Sequence, residues 1–177
     1  MGHVARYAIV PDRSRLWIDA RSNVHPIHSA ASGLEGFIEF DGDGDGGLGL
    51  PAAGRLSFPV ANLSGDNPLE RRELRKRIDA GRYPTIEGVL TGTQTLAADA
   101  PYLMRGDLTF RGVTRSVEGE MTIRVVDERS IRLEGESTFD IREFGMEPPR
   151  ILMLRVEPQV KVRVDVVAER RSTVHLT

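Results

Sequence analysis

An all-β protein, a closed antiparallel barrel with one short helix, is what the 177-residue sequence predicts. Apolar and polar residues alternate from end to end, as in Arg15-Leu16-Trp17-Ile18-Asp19-Ala20 and across Arg115 to Val126. That period describes sheets with one face in a core and the other in water. Turn signals punctuate these runs at even spacing, and a single segment carries the start signal of a helix. A two-sheet sandwich fits the same pattern nearly as well.

Tyr7 to Val10 reads as a short strand ended by the turn dipeptide Pro11-Asp12. Leu16, Ile18 and Ala20 then share the inward parity of the second strand, which turns Trp17 outward or into an interface. Gly33 to Asp41 is the next strand, and the Gly- and Asp-rich tract from Asp41 to Gly49 must be a loop. Leu56 to Leu63 follows, pushed by Pro59 towards an edge or a bulge. Asn67 is a good N-cap, Pro68 suits the first helical position, and Leu69 to Ile78 runs without Gly or Pro, so a helix is expected from Asn67 to Ala80, stopped by Gly81. Tyr83-Pro84 feeds a strand over Thr85 to Leu96. Four more strands are expected at Tyr102 to Phe110, Arg115 to Val126, Ile131 to Asp140 and Val156 to Ala168. Arg111-Gly112-Val113, Asp127-Glu128 and Pro148-Pro149 are the hinges.

The whole chain, residues 1–177, reads as a single domain, long enough for a sizeable core. A net charge of −2 argues against nucleic-acid binding, which needs a cationic surplus. With no cysteine there is no disulfide, thiolate chemistry or sulfur-ligated zinc. Neither a signal-peptide pattern nor an apolar run of about 20 residues is present, so a cytoplasmic location is expected. Gly-x-Ser-x-Gly, a carboxylate pair with a His, and a phosphate-cradling glycine loop are all missing, which predicts a protein that is not an enzyme.

Four segments resemble the YceI-like family. They are Tyr7 to Ile18 (with Arg13-Ser14 where the family usually has His-Ser), Asn67 to Ile86, Leu108 to Arg115, and Phe139 to Met146. They follow the family's order and span most of the chain. The resemblance implies a lipocalin-like antiparallel barrel of about eight strands, a size that holds one small ligand, with the helix by its mouth. It also implies that the ligand is a small amphiphilic lipid, a polyisoprenoid or a quinone-like molecule.

Inward parity nominates Leu16, Ile18, Leu56, Phe58, Leu108, Phe110, Ile123, Val125, Leu133 and Phe139 as the wall of such a cavity. His25, His28 and Arg142 are candidates for its mouth, although Arg142 points out if Phe139 and Ile141 point in. His25-Pro26-Ile27-His28 also offers two imidazoles to a metal, needing a third ligand such as Asp19 or Asp41, so a metal-binding module or metal-dependent enzyme is one alternative. Asp41, Asp43 and Asp45 with Gly46 imitate half a calcium loop, but its twelfth position is Ala52 instead of a bidentate Glu. The cations Arg71, Arg72, Arg75, Lys76 and Arg77 suit either a solvated helix face or transient contact with an anionic membrane surface through residues 69–77. Leu152, Met153 and Leu154 form a run for a buried strand or a lip, and Met146 and Met153 suit an adaptable pocket. A solid barrel acting as an interaction scaffold, with Trp17 and the basic helix as contact surface, is the other alternative, and a homodimer fits either case.

Overall fold

A computed structural model describes residues 4–42, 48–65, 67–98, 100–151 and 153–170. Asp43, Asp45 and Gly46 of the calcium-like run, and Leu152 of the apolar run, lie outside the described residues. Among the described residues, twelve strands and one α-helix follow in chain order. They are β1 (Val4–Ile9), β2 (Arg15–Ser22), β3 (Ile27–Ala31), β4 (Glu35–Asp41), β5 (Pro51–Pro59), β6 (Leu63–Gly65), α1 (Pro68–Ile78), β7 (Thr85–Thr95), β8 (Tyr102–Phe110), β9 (Val113–Val125), β10 (Ser130–Asp140), β11 (Arg150–Ile151) and β12 (Leu154–Arg170). Strands β1, β4, β5, β7, β8, β9, β10 and β12 close into an eight-stranded antiparallel barrel, and the pairing of β1 with β12 seals it. The barrel, not the sandwich, is the solution adopted.

Three staves of this barrel are broken. Both β1 and β2 pair with the long β12, Ile9 opposite Ala168 and Arg15 opposite Asp165. The 3-10 turn Pro11–Arg13 separates them, and Ser14 repairs the gap. The buried Ser14 hydroxyl donates to the Val10 carbonyl at 2.8 Å and accepts from the Val167 amide at 3.1 Å, replacing ladder bonds lost at the break. Next to them, β3 pairs with β2 while β4 pairs with β1, and Gly33 (φ 66°) makes the bend. Beyond these, β6 pairs with β3 while β5 pairs with β4, across a second 3-10 turn at Val60–Asn62. The half built from β2, β3 and β6 therefore swings away from β7, and α1 packs against β6 and β11 at that end.

The helix follows its sequence signals at the start. Asn67 accepts from the Leu69 amide at 2.9 Å, with Pro68 in the first turn. Its end differs from expectation: Asp79, not Gly81, takes the left-handed conformation (φ 58°) and its amide reaches the Arg75 and Lys76 carbonyls. Asp tolerates that conformation better than most residues, so Gly81 is not needed for the stop. Other boundaries also shift. The strand expected from Gly33 starts at Glu35, the run Leu56 to Leu63 breaks after Pro59, and β3 was not foreseen as a strand. Trp17 does face outward, where Arg163 lies over its ring at 5.5 Å.

Three of the resemblance segments meet at the helix end of the barrel. Arg111 (φ 55°) and Gly112 (φ 72°) form the two-residue β8–β9 hairpin turn, both with the positive φ that such a turn requires. A Cβ on Gly112 would stand 2.6 Å from the Tyr83 ring, so the turn needs glycine on packing grounds as well. Phe110 stacks on Phe144 with centroids 4.3 Å apart, and Phe139 meets Phe144 edge-on at 5.6 Å. The Arg111 guanidinium donates to the Gly145 carbonyl. Side chains from Tyr83, the β8–β9 hairpin and the 3-10 turn Ile141–Phe144 thus lock one another.

Candidate ligand-binding cavity

Inside the barrel are two apolar chambers, of about 260 and 160 Å³. Leu108 and Val162 line both, so the two chambers are neighbours. The larger chamber lies within the eight-stranded part; the smaller lies beneath α1, where β2, β3 and β6 swing outward. Along β12 the lining passes from Val156 in the smaller chamber to Val166 in the larger.

Glycine makes the larger chamber. On five adjacent strands the inward position at mid-barrel is Gly54, Gly88, Gly106, Gly119 and Gly135, and all five line it. Each stands next to a bulky inward neighbour in register: Gly54 by Ile38, Gly88 by Leu56 and Leu108, Gly106 by Leu90 and Val117, Gly119 by Met104, Gly135 by Met121. With no side chain at these five positions, the chamber is bounded there by strand backbone. A Cβ at Gly88 would meet nothing within 4 Å, so that position opens directly on empty space. At Gly106, Gly119 and Gly135 a Cβ would instead press on strand backbone, 2.9, 2.6 and 2.7 Å from the carbonyl oxygens of Val89, Glu136 and Glu120. None of these five glycines was nominated from the sequence.

Most of the nominated wall residues stand on this lining. Leu16, Ile18, Phe58, Phe110 and Phe139 line the smaller chamber, Leu56 and Leu133 the larger, and Leu108 both. Ile123 lines neither, though it packs against the core. Val125 is a correction. It shares the inward parity of Ile123 but stands at the last residue of β9, past the covered part of the barrel, and is 65% exposed.

The mouth candidates separate. Arg142 does not face the chambers. Its guanidinium closes back on Asp140 at 2.6 Å, and the Asp140 carboxylate also accepts from the Arg142 amide at 2.8 Å. These bonds, the guanidinium first, hold the Asp140 carboxyl below its ordinary value. The strand ends at Asp140, so Ile141 and Phe144 take the buried positions of the following turn and Arg142 is left outside. His28 is also exposed, with Nδ1 2.7 Å from Asp19 Oδ1, and Asp19 is met from its other side by Arg163 at 3.4 Å. His25 stands beside α1, its Nε2 3.8 Å from Oε1 of Glu70, which lines the smaller chamber. The two imidazoles therefore have different partners, and among the described residues no group of three His, Cys, Asp or Glu side chains is gathered to hold a metal ion.

Among the described residues, two polar side chains reach the smaller chamber, Ser29 and Glu70. In the sequence, the five cations of α1 mask Glu70. Its spacing to Leu74 and Ile78, which line the same chamber, was the available signal. Val24, Leu69 and Met153 are exposed apolar side chains, and Leu69 precedes Glu70 on α1. Asn23 ties the first to the third, its amide donating to the Met153 carbonyl at 3.0 Å. No helix among the described residues is long and apolar enough to cross a membrane.

Comparison with known proteins agrees with this architecture. The model of the YceI-like domain matches residues 7–168. Among solved structures, BcnA of Burkholderia cenocepacia superposes with a TM-score of 0.76 at 15% identity, covering 90% of this chain and 98% of its own. A polyisoprenoid binding domain from Saccharophagus degradans, implicated in plant cell wall breakdown, gives 0.72 at 12% identity, covering 96% and 100%. The YceI protein of Campylobacter jejuni gives 0.65 at 14% identity, covering 81% and 85%. No curated protein matches the sequence.

Proposed function

The chain belongs to the YceI-like domain family, and we propose that it binds and carries an isoprenoid-type lipid or quinone-like amphiphile in its two-chamber cavity, without catalysing a reaction on it. The observation that carries this reading is the pair of apolar chambers, with Gly88 opening on empty space, because an interior meant only to be a core would be filled there. The polyisoprenoid binding named for the Saccharophagus degradans domain supports the same ligand class. Leu16, Ile18, Leu56, Phe58, Leu108, Leu133 and Phe139 would contact the chain of the ligand. Burial of its apolar surface, at about 25 cal/mol per Å² before ordering costs, would supply most of the affinity.

The length of the cavity sets a length for the ligand. From Val156 to Val166, β12 advances about 3.3 Å per residue at a tilt of about 40°, or roughly 20–25 Å along the barrel axis once its bulge is allowed for. An extended isoprene unit, four bonds of about 1.5 Å in a zigzag, spans about 5 Å, so about four or five units fit inside. Delivery would occur at the helix end. Val24, Leu69 and Met153 would enter the interfacial layer of a membrane while Arg72 and Lys76 meet anionic headgroups.

Displacement of a fluorescent fatty probe by prenyl alcohols of increasing length tests the reading. Affinity is expected to climb with each unit and level off at four or five. Absence of saturable binding for every member of the series would overturn it.

A further inference from the structure

The mouth of the smaller chamber carries one charge, and its sign has consequences for the ligand. Among the described residues lining that chamber, Glu70 is the only charged side chain and Ser29 the only other polar one. Glu70 sits in the first turn of α1, with its side chain 14% exposed, above an otherwise apolar space. The His25 imidazole lies 3.8 Å from its carboxylate.

Two cations of the same helix, Arg75 and Arg77, are engaged away from the chamber. Arg77 pairs with Glu73 at 2.9 Å and with Glu147 at 3.5 Å, and Arg75 donates to the Ala61 carbonyl at 3.2 Å. The favourable field of the helix N-terminus, which could otherwise attract an anion, is opposed by Glu70 itself. An anionic headgroup arriving here would meet a carboxylate in a poorly hydrated setting, where like charges repel more than they do in water. A hydroxyl or an ammonium would find an acceptor.

We propose that Glu70 is a specificity-determining residue, selecting amphiphiles whose headgroup is a neutral or cationic hydrogen-bond donor and rejecting prenyl phosphates. The proposal rests on the isoprenoid-binding reading and adds to it where the headgroup lies and which chemistry it has. Ser29, across the chamber on β3, supplies a second donor or acceptor to the same headgroup.

Three ligands with one tail test it: geranylgeraniol, geranylgeranylamine and geranylgeranyl diphosphate, each used to displace a fluorescent fatty probe from the full chain. The amine and the alcohol are expected to bind at least about tenfold more tightly than the diphosphate. In Glu70→Gln, which keeps the shape and removes the charge, that gap should shrink to about twofold and the amine should weaken relative to the alcohol. Equal binding of alcohol and diphosphate by the unaltered protein overturns the proposal, as does a ratio unchanged in Glu70→Gln. Failure of all three ligands would instead overturn the isoprenoid reading beneath it. Equal binding of all three would leave that reading standing and remove only the role of Glu70.

Discussion

Replacing Gly88 with leucine tests whether the interior is open. The new Cβ meets nothing within 4 Å, and the chamber of about 260 Å³ has room for the rest of the side chain. Burying a leucine contributes about 2 kcal/mol. Removing a strand glycine adds about 0.5–1 kcal/mol, and ordering the side chain costs about as much. Gly88→Leu should therefore be more stable than the parent by about 2 kcal/mol, a rise in Tm of roughly 4–8 °C for a chain of this length. The same change puts leucine atoms where the ligand chain would lie, so affinity for a prenyl alcohol should fall at least about tenfold. Gly119→Ala supplies the contrast. Its Cβ would stand 2.6 Å from the Glu136 carbonyl oxygen, and the strand must shift, which costs about 1–3 kcal/mol. Differential scanning fluorimetry of delipidated protein and probe displacement read the two effects. A Gly88→Leu protein that is less stable than its parent, or that binds prenyl alcohol as well, would refute the reasoning.

Other consequences are as specific. Ser14→Ala leaves the buried Val167 amide without its hydroxyl acceptor and should cost about 1–3 kcal/mol in urea unfolding; an unchanged midpoint would mean the β1–β2 break holds without it. Arg132 donates to Asp165 at 2.8 and 2.6 Å across β10 and β12, and this hydrogen bond holds the Asp165 carboxyl below its ordinary value. A carboxyl depressed in the folded state stabilises above its unfolded pKa of about 3.9 and loses that contribution as pH falls through the folded value. Asp165→Asn should accordingly be less stable than the parent at pH 7, with the difference closing below about pH 4 in thermal melts. The double change Arg72→Glu with Lys76→Glu should slow transfer of a prenyl lipid to vesicles containing anionic lipid while leaving transfer to neutral vesicles unchanged. Equal slowing on both would argue against a charge-guided contact.

The strands were legible because each keeps one face inward, and α1 because Asn67 and Pro68 carry its start. The breaks were not, since Pro11 and Pro59 mark an interruption without saying that the strand resumes on the same neighbour. Strand β3 was hidden because Pro26 and two histidines dilute its pattern, and only pairing with β2, Leu16 opposite Ala31, makes it a strand. Parity found most of the cavity wall yet overran at Val125, because alternation does not record where the barrel's cover ends. The glycines were open to the same parity argument. Gly88, Gly106 and Gly119 each lie two residues from an inward apolar side chain in both directions: Ile86 and Leu90, Met104 and Leu108, Val117 and Met121. Read as gaps in an apolar face, instead of as weak points in strands, they outline the larger chamber.

The central claim is that the barrel holds a lipid, and native mass spectrometry of the protein purified from its own host tests it most directly, followed by organic extraction of what copurifies. One stoichiometric adduct of isoprenoid mass is expected, with a donor headgroup and about four or five units shielded in the cavity. A bare chain mass that stays unchanged after incubation with prenyl alcohols would contradict it.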